Sequence, residues 1–106
     1  MTLREVLDAA AAADGAPVTA EGSDGATTWA IEGVVFATLD RSGTTASFRL
    51  DPVLAGAARR TPDTGASFLG PEWVEFRPAL VDDHAADRAE AWFAAALRRA
   101  EPGFRA

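Results

Sequence analysis

The chain predicts an α+β domain, an antiparallel sheet of about five strands with the N- and C-terminal helices packed on one face, in the order α-β-β-β-α-β-β-α. Three observations carry this expectation. The run from Thr28 to Leu50 alternates apolar and polar residues at strand spacing and is interrupted by two turn sequences. Residues 2–13 and 82–100 place apolar residues at helical spacing. At 106 residues, 48% hydrophobic and 25% charged, the chain fits one ordinary globular domain spanning residues 1–106.

The first helix covers residues 2–13. Thr2 and Glu5 have the spacing of a capping box, and Leu3, Val6, Leu7, Ala10 and Ala13 fall on one face. Gly15 is its stop signal. Residues 14–27 read as a loop with Val18 to Glu21 as a short strand candidate. In the strands that follow, Glu32-Gly33 is a two-residue turn that sets Ile31 opposite Val34 and Trp29 opposite Phe36. The second turn, Asp40 to Thr44, allows two registers. A four-residue loop splits the large apolar residues between both faces. A three-residue loop with Gly43 left-handed sets Phe36 opposite Phe48 and Val34 opposite Leu50. That register gathers Trp29, Ile31, Val34, Phe36, Phe48 and Leu50 on one face, and it is the one expected. It leaves Val35, Ala37, Leu39, Thr45, Ser47 and Arg49 on the other.

Asp51-Pro52 opens a short helix reaching about Arg60, with Asp as the cap and Pro at the first helical position. Thr61 to Ala66 reads as a loop. Ser67 to Leu69 and Trp73 to Arg77 are the last strand candidates, separated by Gly70-Pro71. Asp82-Asp83 opens the last helix, whose buried stripe is Ala85, Ala89, Trp92, Phe93, Ala96 and Leu97. Arg98-Arg99 at its end suit the helix dipole, and Pro102-Gly103 ends it.

Composition narrows the function. Cysteine is absent, which excludes disulfides and thiolate metal sites. No apolar run reaches bilayer length and no signal peptide is recognised, so a cytoplasmic protein without membrane attachment is expected. All ten basic residues are Arg and the net charge is −6, which opposes general affinity for nucleic acid.

Trp29 to Leu39, Phe48-Arg49-Leu50-Asp51-Pro52 and Trp73-Val74-Glu75-Phe76, followed by an Ala- and Arg-rich terminal helix, resemble the MmcQ/YjbR family in order and spacing. The resemblance covers roughly residues 2–100. It implies a CyaY-like fold and DNA as the partner, by fold-level analogy. It brings no catalytic residues. Relatives commonly carry Lys after the turn Gly, where this chain has Val34.

The residues themselves offer little chemistry. His84, the only histidine, lies among acids at a helix start. Ser23, Ser42, Ser47 and Ser67 have no base at recognisable spacing, and no phosphate-loop or dinucleotide fingerprint is present, so no enzyme and no cofactor are expected. A frataxin-like metal role would draw on Glu5, Asp8 and Asp14, yet Glu5 belongs to the capping box, and Asp82, Asp83 and Asp87 serve a helix start. Arg59-Arg60 and Arg98-Arg99 sit at helix C-termini. The remaining candidate is the open sheet face, where alternation places Trp73, Glu75 and Arg77 beside Arg49. The expectation is a non-enzymatic MmcQ/YjbR-like module whose binding residues are Arg49, Trp73 and Arg77. Its partner is DNA by resemblance or, as charge suggests, a protein.

Overall fold

A computed structural model describes residues 1–15 and 25–101 in full and Val18–Glu21 as backbone. Helix α1, Leu3–Ala13, begins with a formed capping box: Thr2 Oγ1 accepts the Glu5 N–H at 3.1 Å and Glu5 Oε1 accepts the Thr2 N–H at 3.0 Å. Leu3, Val6, Leu7, Ala10 and Ala11 are buried, whereas Ala13 is exposed, so the buried stripe ends one turn earlier than the spacing suggests. Gly15, at φ +66°, follows the Asp14 cap as a left-handed residue.

Six strands follow: β1 (Val18–Glu21), β2 (Thr27–Ile31), β3 (Val34–Leu39), β4 (Ala46–Arg49), β5 (Thr64–Ser67) and β6 (Gly70–Phe76). Helix α2 (Pro52–Ala58) joins β4 to β5, and α3 (Asp83–Ala100) follows β6. The strands form one antiparallel sheet in the order β1-β2-β3-β4-β6-β5. The α+β class and the helix-backed antiparallel sheet are as expected, with the Val18–Glu21 candidate added as an edge strand. The Pro102-Gly103 stop lies outside the described residues.

The β2–β3 turn matches its sequence. Ile31 pairs with Val34, and Glu32 and Gly33 have φ of +49° and +81°, the two left-handed residues of a type I′ turn. The β3–β4 turn differs from expectation. Leu39 pairs with Ala46 and Ala37 with Phe48, and the Asp40 N–H donates to Thr45 O at 3.0 Å. The loop is therefore Arg41–Thr44, the four-residue alternative, although Gly43 is left-handed at φ +76°. Phe36 faces neither Phe48 nor Trp29; Ala37 faces both. The one-residue slip is absorbed inside β3. Its register against β2 shifts between the Trp29–Ala37 and Ala30–Val35 pairs, leaving Phe36 as the extra residue of a β-bulge. Trp29, Phe36, Phe48 and Leu50 are accordingly all buried, with Ile31 and Val34 packed against them. Ala37 and Leu39, expected on the opposite face, are buried in the core instead.

A second correction concerns β5 and β6. Thr64 to Ala66, expected as loop, is an edge strand, while Phe68 and Leu69 form the hairpin tip and Gly70-Pro71 begins β6. Pro is tolerated at a strand start because the ladder has not yet claimed its missing N–H.

The core lies between the sheet and α3. The expected stripe Ala85, Ala89, Trp92, Phe93, Ala96 and Leu97 is buried in full. Small residues let α3 approach the sheet, and two aromatics fill the space: Phe93 stands edge-on to Trp29 and Phe36, and Trp92 packs against Phe48 and Phe76. Trp29 contributes through packing and this ring contact, since its Nε1 is buried with no hydrogen-bond partner among the described residues. Arg88 lies 4.8 Å above the Phe76 ring and donates to Thr61 Oγ1 and Pro62 O, tying α3 to the loop before β5.

Candidate functional site on the open sheet face

Because α1 and α3 occupy one side of the sheet, strand alternation presents the other side without a helix. Register aligns Thr28, Thr38, Ser47, Glu75 and Gly65 in one row across five strands. These are mostly small polar residues, and Ser47 and Thr45 are buried despite facing away from the core. The floor is thus recessed. Phe68 and Leu69 border it from the β5–β6 tip, and the space between is a cavity of about 400 Å³ that Thr38, Ser47, Phe68, Glu75 and Arg77 help to line. Phe68 is 91% exposed.

The three expected site residues share this face. Arg49 and Trp73 are direct cross-strand partners, and Trp73 is half-buried. Arg77, just past the end of β6, lies on the opposite side of that row from Arg49 and Trp73, where its Nε donates to Thr45 Oγ1 at 2.9 Å and Glu75 approaches its guanidinium at 3.7 Å. Arg49 is not a free cation. Its Nε donates to Glu72 Oε2 at 3.0 Å, while Arg99 of α3 donates to Glu72 Oε1 at 3.0 Å. Glu72 therefore joins β4, β6 and α3.

The Arg49 and Arg99 hydrogen bonds hold the Glu72 carboxyl below its ordinary range. A lowered folded-state pKa means that the clamp stabilises fully above the unfolded value of about 4.3 and fades as pH falls through the folded value. One third of the Glu72 side chain is exposed, so solvent screening limits the effect. Glu72→Gln is expected to cost about 1 kcal/mol at neutral pH. In urea titrations at pH 7 and pH 3, that difference should shrink at the lower pH; a difference independent of pH would contradict the clamp.

Other expected candidates are placed elsewhere. His84 is exposed at the start of α3. Ser42 and Ser67 serve their own turns, Ser42 Oγ donating to Asp40 Oδ2 and Ser67 Oγ accepting the Leu69 N–H; Ser23 lies outside the described residues. Among the described residues, no group of three or more His, Asp or Glu is placed to hold a metal ion, and no helix is long and apolar enough to cross a membrane. Sequence reasoning missed the Phe68-Leu69 tip. Its signal was two large apolar residues directly before Gly-Pro, a pattern that fits a turn as well as the end of a strand.

These features define a two-layer α+β domain with a recessed polar face and an apolar tip beside it. No family model, curated protein or solved structure matches the chain.

Proposed function

We propose that this chain is a non-enzymatic binding module that docks a protein partner on the open sheet face, with Phe68 as the anchor. The observation that carries the reading is Phe68 itself, exposed beside Leu69 at the margin of the recessed floor. An aromatic side chain held in water gains most by insertion into a partner's pocket, and such anchors dominate binding energy. Arg49 and Arg77, each paired with a neighbouring glutamate, supply a polar rim beside Trp73.

The resemblance to the MmcQ/YjbR family supports DNA as the alternative partner. Charge favours a protein. Arg49 is matched by Glu72, Arg77 is flanked by Glu75, and the chain carries −6 overall, whereas DNA affinity comes from cations that displace counterions.

A photo-reactive phenylalanine analogue placed at position 68 is expected to yield a discrete protein adduct in cells, and the same analogue at Val53, exposed on α2, none. Phe68→Ala should weaken the captured complex by about thirtyfold, the loss of an interface anchor. Equal adducts at both positions would sink the protein reading. Low-salt binding to duplex or single-stranded DNA that is lost in Arg49→Ala/Arg77→Ala would move the partner to nucleic acid.

A further inference from the structure

A separate cavity of about 460 Å³ opens between the start of α1, the β3–β4 turn and the segment leading from β6 into α3. Its charged side chains are Arg4 and Arg41, and neither Asp nor Glu lines it. In a chain of net charge −6 this is a local reversal of sign. Among the described residues, Arg49, Arg77 and Arg99 are ion-paired, while Arg4 and Arg41 are not.

Both cavity arginines are positioned without being neutralised. Arg4 Nη2 donates to the buried Thr27 hydroxyl at 2.9 Å. The stem of Arg41 lies against Gly25, where a Cβ would come within 3.1 Å of Arg41 Cγ and 3.2 Å of Cδ. Gly25, at φ +86°, thus leaves the room that this stem occupies. The neighbouring Asp40 carboxylate is engaged within its own turn, accepting the Thr44 and Thr45 N–H groups and the Ser42 hydroxyl. The rest of the wall is largely apolar, with Leu3, Pro78, Ala79 and Val81.

We propose that this cleft binds a small organic phosphate, its phosphoryl oxygens held by Arg4 and Arg41 and its organic body against Leu3, Pro78 and Val81. Guanidinium groups present donors in a fork that matches phosphate oxygens, and their charge roughly doubles the strength of each hydrogen bond. A cavity of this size suits a small ligand, and a mostly apolar wall with a few polar groups is the usual composition of such a site. The inference does not depend on what docks at the sheet face.

The test is amide chemical-shift titration of the full chain with phenyl phosphate and, separately, with inorganic phosphate. Saturable shifts at Arg4 and at Ser42 to Thr44 are expected, with phenyl phosphate binding the more tightly. Arg4→Gln/Arg41→Gln should lose affinity by about tenfold for each guanidinium removed. Arg59→Gln/Arg60→Gln, a basic pair outside the cleft, should bind as the unmodified chain does. Arg41→Gln alone serves if the double variant does not fold, because Arg41 is exposed and its guanidinium makes no hydrogen bond among the described residues. The proposal is overturned by shifts that do not saturate with phenyl phosphate, by unchanged affinity in Arg41→Gln, or by no advantage of phenyl phosphate over inorganic phosphate.

Discussion

Phe93→Ala is expected to destabilise the domain by about 3–5 kcal/mol, a large part of the roughly 5–15 kcal/mol that holds an ordinary domain together. Phe93 is fully buried, with its ring centroid 5.7 Å from Trp29 and 5.3 Å from Phe36, both close to edge-on. Removing it loses the transfer energy of the ring and leaves a cavity. It also ends two aromatic contacts worth about 0.5–1.5 kcal/mol each beyond their area. The site cannot readily collapse, because Ala89 and Ala96 beside it already bring the α3 backbone close to the sheet. The measurement is the urea midpoint at unchanged slope, with Val53→Ala as a control. Val53 is 84% exposed, and its change should stay within about 0.5 kcal/mol. A cost below about 2 kcal/mol for Phe93→Ala would mean that the core is less tightly packed than its geometry implies.

The size of that effect reflects what the sequence states most plainly. The α3 stripe needs only 3.6-residue periodicity, and every member of it is buried. The capping box and the Glu32-Gly33 turn are equally local, since each is decided by residues a few positions apart. Register is not local. Periodicity reveals which residues share a face, and a bulge that adds one residue preserves that face while changing every pairing before it. Two registers of the Thr28–Leu50 region thus gather the same six apolar residues on the core side, and pattern alone does not separate them. The open sheet face divides in the same way. Alternation placed Trp73 beside Arg49 correctly, but the Glu72 clamp joins residues 23 and 27 positions away and exists only once the sheet and α3 have met. Phe68 and Leu69 were hidden by their own apolarity, which suits a strand as readily as an exposed tip.

What separates the two registers is Asp40, and Asp40→Ala is expected to cost about 2 kcal/mol. Its Oδ1 accepts the Thr44 N–H at 2.9 Å and the Thr45 N–H at 3.0 Å, and its Oδ2 accepts the Ser42 hydroxyl at 3.0 Å. These bonds close a four-residue loop, and the Phe36 bulge then restores the core face. Each bond contributes about 0.5–1.5 kcal/mol net, and the partial exposure of Asp40 keeps the sum toward the lower end. Burial pushes the Asp40 carboxyl up, but the bonds from Thr45, Ser42, Thr44 and Gly43 together hold it below its ordinary range. With the folded value lowered, the contribution is complete above the unfolded value of about 3.9 and is lost as pH falls through the folded value. The gap between the unmodified chain and Asp40→Ala should therefore be widest near pH 7 and narrow by pH 3. Asp40→Asn, which keeps an acceptor oxygen without the charge, should lie between them at neutral pH. Without the carboxylate, the three-residue loop that pairs Phe36 with Phe48 becomes competitive, and cross-strand NOEs between those two residues should appear in Asp40→Ala. Retention of the Ala37–Phe48 pairing alone, with a stability difference flat in pH, would show that the bulge sets the register and the turn merely follows it.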